Sequence, residues 1–397
     1  MSVVGTSVAL MRLLHTSDWH LGRGLHGLDL REAQSVAVQQ ISDVVAGRGV
    51  DAVVVAGDVF DRAVPPIDAV QLWDDALRLL AEQVPVVVIS GNHDSAVRLG
   101  AGAGLYREGI HLCTSAGDVG RPVLLHDDHG PVAIYPIPFL DPELARHTLA
   151  DGDEPLGRSH AAVLGAAMAR IRADLAVRGD RVRSVVVAHA FVTSGSTPEV
   201  SDSERDISVG GVESVHPSLF DGVHYVALGH LHGAQRVGGD RVRYSGSPLR
   251  YSFSEVHQHK QVLLVDLDEH GQVEVEPVEI VQPRGMAVLR GSFEELMSSA
   301  DHLAHVDDWV QVTVTDPERP AGLRQRVVER FPHALSIRHE PTSGPLAAGA
   351  TADARVPKAP AEVAASFVHH VTGGHISELE LEAFTRAYES SRREGAA

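Results

Sequence analysis

Asp51-Ala52-Val53-Val54-Val55-Ala56-Gly57-Asp58-Val59-Phe60-Asp61 is the stretch that decides the fold. Its first half is an almost unbroken apolar run, the pattern of a strand covered on both faces. Its second half turns abruptly to glycine and carboxylates, so a buried strand delivers Gly57 and Asp58 to its carboxyl end. Upstream, residues 12–16 read as another buried strand, and 29–46 as a helix with Val36, Ile41, Val44 and Val45 at roughly helical spacing. Downstream, 66–84 reads as a helix with proline near its first turn, and 85–90 as a further buried strand. Strand–helix–strand repeated this way is the signature of an α/β layer architecture. More strands are expected over 132–137, 184–188, 223–228, 241–244 and 262–267, with a helix over 160–177.

From about residue 284 the elements shorten. Strands are expected at 286–290, 309–315 and 334–338, with helices at 292–299 and 323–330, which makes residues 284–340 a small α+β module beside the 11–280 body. Residues 341–361 are mostly Pro, Ala, Gly, Ser and Thr, a linker composition. Beyond them, 362–397 reads as two helices interrupted at Gly373-Gly374, with Phe367, Val371, Leu379, Leu381 and Phe384 among the apolar positions. A helical pair with so little core of its own either docks back on the body or grips another chain, and the second is the favoured reading.

Five polar motifs each stand at or just after the end of an expected strand: Ser17-Asp18-Trp19-His20, Gly57-Asp58-Val59-Phe60-Asp61, Gly91-Asn92-His93-Asp94, His189, and Gly229-His230-Leu231-His232. In open α/β sheets the carboxyl ends of the strands form the ligand-binding edge, so these side chains can converge. Histidine is abundant, 24 in 397 residues, so a His-x-His pair alone means little. His257-Gln258-His259 has the same spacing without a strand or glycine before it and reads as chance. Five clusters of ligand-type residues capping successive buried strands do not, because as unpaired buried groups they would be costly. Asp, His and Asn without thiolate suit Mn, Fe or Zn. Two such ions about 3.5–4 Å apart form a clamp for phosphoryl displacement, and Asp58, on its sharp turn, is the natural bridging carboxylate. Asp94 reads as a helix N-cap or as an orienter of His93, and His15, Trp19 and His26 as structural.

Composition narrows the class. Asp plus Glu number 53 against 34 Lys plus Arg, a net charge of −19, and such a chain shows no overall basic nucleic-acid footprint. Only Lys260 and Lys358 are lysines, a bias that fits a GC-rich genome. There is no apolar run of the roughly 18 residues that suggests a membrane span. Met1–Leu10 lacks the basic head and apolar core of a secretory signal, and Met11 offers an alternative start. With Cys113 as the single cysteine, the expectation is a soluble, reduced, cytoplasmic protein.

Taken together, the motifs resemble the calcineurin-like metallophosphoesterase superfamily. Thr16-Ser17-Asp18-Trp19-His20-Leu21-Gly22, Gly57–Asp61 and Tyr244-Ser245-Gly246-Ser247-Pro248-Leu249 look like its SbcD branch, the nuclease subunits of bacterial SbcCD complexes. The resemblance implies a four-layer αββα sandwich with a small α+β capping domain and C-terminal helices. It implies a first metal held by Asp18, His20, Asp58 and His232, and a second by Asp58, Asn92, His189 and His230, most simply two Mn²⁺. His93 would protonate or stabilise the leaving 3′-oxygen. The implied activity is double-strand 3′→5′ exonuclease and single-strand or hairpin endonuclease, in a nucleoid-associated complex with an SbcC-type ATPase that the C-terminal helices would grip. A homodimer would form through residues 66–84 and 95–109, within a heterotetramer. Because the chain is acidic, its own DNA contacts would fall to local arginines such as Arg23 and Arg98. Position 61, histidine in some relatives, is aspartate here, and Asp61-Arg62 resembles the Asp-Arg pair of the superfamily's protein phosphatases. A phosphatase or phosphodiesterase on another substrate is therefore one alternative, and a non-catalytic DNA-end scaffold a second.

Overall fold

The computed structural model describes residues 10–179, 181–195, 198–204, 214–342, 368, 376–377 and 379–386. The chain divides into two units, Met1–Pro341 and Thr342–Ala397.

In the first unit two six-stranded sheets face each other. One runs Val273–Glu279, Gln261–Leu267, Met11–Thr16, Ala52–Ala56, Val86–Ile89, Ile110–Cys113. Its last four strands are parallel, as strand–helix–strand connections require. The other runs Gln235–Arg236, Val242–Tyr244, Tyr225–Gly229, Arg183–His189, Gly130–Ile137, Val123–Asp127, parallel through its centre.

Side-chain alternation builds the layers. In Ala52–Ala56, Ala52, Val54 and Ala56 pack inward with Ile134, Val185, Val187 and Ala227 of the facing sheet. Val53 and Val55 point the other way, onto the helices Arg31–Gly47 and Ile67–Ala81. On the far side, Val186, Ala188, Val226 and Leu228 meet Val163, Leu164, Ala167, Met168 and Ile171 of the helix His160–Arg178. Three apolar layers between four structural ones give the αββα sandwich. The expected elements recur within a few residues. One face differs: Val36, read as apolar-face, is 47% exposed, and Ala37 and Val38 turn inward instead.

Met286–Gly291, Trp309–Val314 and Ala334–His339 form a three-stranded parallel sheet, with the helices Phe293–Ser298 and Leu323–Arg330. It has a core of its own around Leu289, Leu296, Val312, Val327 and Phe331. Met286, Trp309 and Leu335 pack instead against the core beside Arg31–Gly47, which seats this module on the body. The segment 95–109 holds only the one-turn helix Ala96–Leu99 and the short turn Ala103–Leu105.

In the second unit residues 379–386 are helical, with Ser377 and Glu380 exchanging backbone and side-chain hydrogen bonds in a capping box. The expected linker beyond 342, the helix over 362–372 apart from Val368, and residues 387–397 lie outside the described residues. So do residues 1–9. No helix among the described residues is long and apolar enough to cross a membrane.

Candidate metal centre

Three of the five motifs leave their strands through a backbone that most residues avoid. Asp18 (φ 55°), His20 (φ 45°), Asp58 (φ 50°) and His230 (φ 112°) all have positive φ without being glycine. Such residues cost about 1–3 kcal/mol each and cluster at functional sites. Here they are held by cross-loop bonds: the Asp18 N–H donates to the Gly57 carbonyl (3.0 Å), that of His20 to Asp58 O (3.0 Å) and that of Leu21 to Val59 O (2.9 Å). At Gly91 the constraint is space, because a Cβ there would sit 2.1 Å from Asp58 Oδ1.

The converging groups are buried and close. Asp18, His20 and His232 form one cluster, Asp18, Asp58 and His189 a second, and His20, Asp58 and His93 a third, the ligand atoms of each within 4.8 Å of one another. His20 Nε2 faces His232 Nε2 at 3.0 Å. Asp58 Oδ2 stands 3.6 Å from His20 Nε2, 3.5 Å from His189 Nε2 and 4.0 Å from His93 Nε2. Asn92 Oδ1 lies 2.8 Å from His189 Nε2 and 3.3 Å from His230 Nδ1. All seven residues expected from sequence as ligands, and His93, are thus brought to one place, with Asp18, His20 and Asp58 each in two of the three clusters.

Acceptors behind the rings settle which nitrogen points inward. His189 Nδ1 contacts the Ala56 carbonyl (2.9 Å), His93 Nδ1 the Asp61 carbonyl (2.7 Å) and His232 Nδ1 a Glu255 oxygen (3.1 Å). A carbonyl or carboxylate accepts, so in each ring Nδ1 carries the proton and Nε2 turns to the centre. The Asp18 carboxylate accepts the His230 N–H at 3.0 Å and the Ser17 hydroxyl at 2.6 Å, and Asp58 Oδ1 accepts the His93 N–H at 2.8 Å.

The donor set fits divalent cations. Two buried Nε2 atoms confront each other, His20 Nδ1 has no hydrogen-bond partner among the described residues, and two carboxylates share the same small volume. Burial, reinforced by Asp58, pushes the Asp18 carboxyl up to about 8. Burial and neighbouring rings hold His20 and His230 well below the usual imidazole range. Burial also lowers His232. Neutral imidazoles are the ligand form, and a cation among the carboxylates offsets the repulsion that their burial creates.

Other residues depart from the sequence reading. Asp94 is not a helix cap, since Ser95 caps the short helix that follows. Its carboxylate accepts the N–H groups of Gly91 (2.9 Å), Val59 (3.1 Å) and Phe60 (2.9 Å), tying the second motif to the third. Arg23 lies 3.4 Å from Asp61, donates to Ser203 O at 2.8 Å and sits over the Tyr251 ring. It lines a groove of about 420 Å³ with His26, Phe253, Gln311 and Arg338. Arg98 is exposed, donates to Ala63 O at 2.9 Å and stands outside the clustered groups. Ser203, Glu204, Glu255 and Lys260, all packed behind His232, were not legible as site residues. The one available signal was the rarity of lysine.

Residues 11–234 match the calcineurin-like phosphoesterase family model, and residues 282–372 match SbcD_C, the type 5 capsule protein repressor C-terminal domain. Among solved structures, TT1561 of Thermus thermophilus is 13% identical, with 69% of this chain and 100% of that chain covered at a TM-score of 0.38. GAP50, the anchor in the inner membrane complex of Plasmodium, is 11% identical, with 85% and 99% covered at a TM-score of 0.36.

Proposed function

This chain belongs to the calcineurin-like phosphoesterase family, and from that premise we propose that it is the nuclease subunit of an SbcCD-type complex. Its substrates are duplex ends, single strands and hairpins of DNA. The observation that carries the reading is the convergence of seven Asp, His and Asn side chains, Asp58 among them, in a chain whose C-terminal part matches SbcD_C.

Asp18, His20, Asp58 and His232 hold one divalent cation, and Asp58, Asn92, His189 and His230 the other. Bound there, two Mn²⁺ ions supply charge neutralisation at the phosphate and a nucleophile near neutral pH. As an oxygen–phosphorus bond forms from water and the bond to O3′ breaks, His93 in its protonated form gives the leaving oxygen its proton from Nε2, the nitrogen facing Asp58. The Asp61 carbonyl 2.7 Å from Nδ1 keeps that ring aimed. Arg23, which lines the groove beside the capping module, meets the strand backbone, and Arg98 extends that contact along the surface. Residues 284–340 shape the DNA approach, and the helical segment with Leu379, Leu381 and Phe384 grips the coiled-coil base of the SbcC-type ATPase. Exposed Ile67, Val70, Val97 and Leu105 support a homodimer through 66–84 and 95–109.

The test is nucleotide release from a 3′-labelled duplex with a hairpin end, with Mn²⁺, with and without the ATPase. His93→Ala and Asp58→Ala are run beside the wild type. Mn²⁺-dependent cleavage lost in both variants is the expected result. No cleavage of any DNA alongside turnover of a simple phosphomonoester moves the chain to the phosphatases. A His93→Ala chain that restores end processing in cells as well as wild type indicates a scaffold.

A further inference from the structure

In a chain that uses arginine for nearly every cation, Lys260 is one of two lysines and is only 2% exposed. Its ammonium stands 2.7 Å from Glu255 Oε2, and donates to the His232 carbonyl (3.0 Å), Ser247 Oγ (2.9 Å) and Gln258 Oε1 (2.7 Å). Acceptors converging on one nitrogen suit a compact ammonium, whereas a planar guanidinium spreads its donors and would not fit the same cage. Glu255 is fully buried and divided between two duties. Oε2 faces Lys260 and accepts the Tyr251 N–H at 3.2 Å. Oε1 accepts from the hydroxyls of Ser201 and Ser203 and from His232 Nδ1 at 3.1 Å, a ring nitrogen that Ser203 Oγ also contacts at 2.7 Å. On the far side of that ring, His232 Nε2 faces His20.

We infer that Glu255 and Lys260 are positioning residues for His232. The carboxylate holds Nδ1 as the donor so that Nε2 presents its lone pair to the centre, and the ammonium clamps that carboxylate to the His232 main chain. The inference rests on the metal reading above. One lysine thereby restrains the ring through Glu255 and the backbone through the carbonyl, which limits rotation and translation of the ligand together. A carboxylate behind a ligating imidazole orients it and strengthens it as a donor, and loss of such a partner costs roughly 10–100-fold in metal affinity.

The test uses the full chain and Mn²⁺ alone, titrated by calorimetry or by the electron paramagnetic resonance signal of unbound Mn²⁺. Glu255→Gln keeps the shape but replaces one carboxylate oxygen with an amide. Either His232 Nδ1 or Lys260 then loses its charged acceptor and is left with its neutral ones, Ser203 Oγ for the ring and three oxygens for the ammonium. The expected result is a drop of roughly 10–100-fold in affinity at one of two Mn²⁺ sites, with the other unchanged. In a His232→Ala background, Glu255→Gln should add little further loss. Lys260→Met should weaken the same site, and Lys260→Arg should not restore it. Thermal unfolding without metal separates folding from positioning: a Glu255→Gln chain that melts lower yet binds both ions with wild-type affinity overturns the inference and leaves a purely structural ion pair. A wild-type chain that binds no divalent cation overturns the metal reading and this inference with it.

Discussion

Gly91 shows how little room the centre has at the scale of single residues. A methyl group at 2.1 Å from Asp58 Oδ1 must move either the carboxylate or the loop. Gly91→Ala should therefore fold but bind Mn²⁺ at least tenfold more weakly, read by the same calorimetric titration. His93 is the complementary case, because its Nε2 lies 4.0 Å from Asp58 Oδ2 but it is proposed as a proton donor rather than a ligand. His93→Gln should lower kcat by roughly 10²–10⁴, the range of a lost general acid, with both Mn²⁺ affinities kept. Equal losses of binding and turnover would make it a ligand instead.

At the scale of elements, the helix Ile67–Ala81 locks the first two motifs through one side chain. Trp73 meets Trp19 edge-on at 6.1 Å and Phe60 at 6.2 Å, and Trp19 is the residue between Asp18 and His20. Trp73→Ala should cost about 3–5 kcal/mol, the usual range for a deleted buried aromatic, measured by urea unfolding. It should also weaken Mn²⁺ binding in the protein that remains folded, since the Asp18–His20 turn loses its backing. Unchanged metal affinity would show that the cross-loop bonds from Gly57 to Val59 suffice to hold that turn.

At the scale of the molecule, the outer edge of the second sheet is closed by a buried ion pair. Arg183 donates to Asp127 at 2.8 Å and to the Gly130 carbonyl at 3.0 Å. Burial works to raise the Asp127 carboxyl, but the Arg183 guanidinium outweighs it and holds it below the usual range. A depressed folded value means that this stabilisation is fully present above the ordinary aspartate pKa of about 3.9. It is lost as pH falls through the lower folded value. Asp127→Asn should thus be less stable by roughly 1.5–3 kcal/mol at neutral pH, and the gap in urea midpoint should close in acid. A gap independent of pH would mean that packing, not the pair, makes the difference. The net charge of −19 bears on DNA at the same scale. Filter binding should find weak affinity for the isolated chain, and tight, salt-steep binding would place a basic surface on it.

Much of this molecule is legible in the chain because burial and alternation are local patterns. A five-residue apolar run bounded by turn residues reads as a covered strand. Asp58, His189 and His230 follow such runs, so their place at strand carboxyl ends is readable, although Asp58 ends a strand of one sheet and the two histidines end strands of the other. The two-sheet face-to-face packing was not in the periodicity, and came only with the family resemblance. Gly-Asn-His-Asp points to a helix cap at Asp94 because nothing in it shows that Val59 and Phe60, over thirty positions earlier, leave their N–H groups facing that carboxylate. Glu255 and Lys260 are silent in the sequence for the same reason: a buried carboxylate–ammonium pair has meaning only beside the ring it restrains. Residue types and their strand-end placement are set by neighbours along the chain. Which nitrogen of His93, His189 and His232 faces the centre, and what holds it there, is set by groups as far as 133 residues away, and only the packed tertiary structure brings those together.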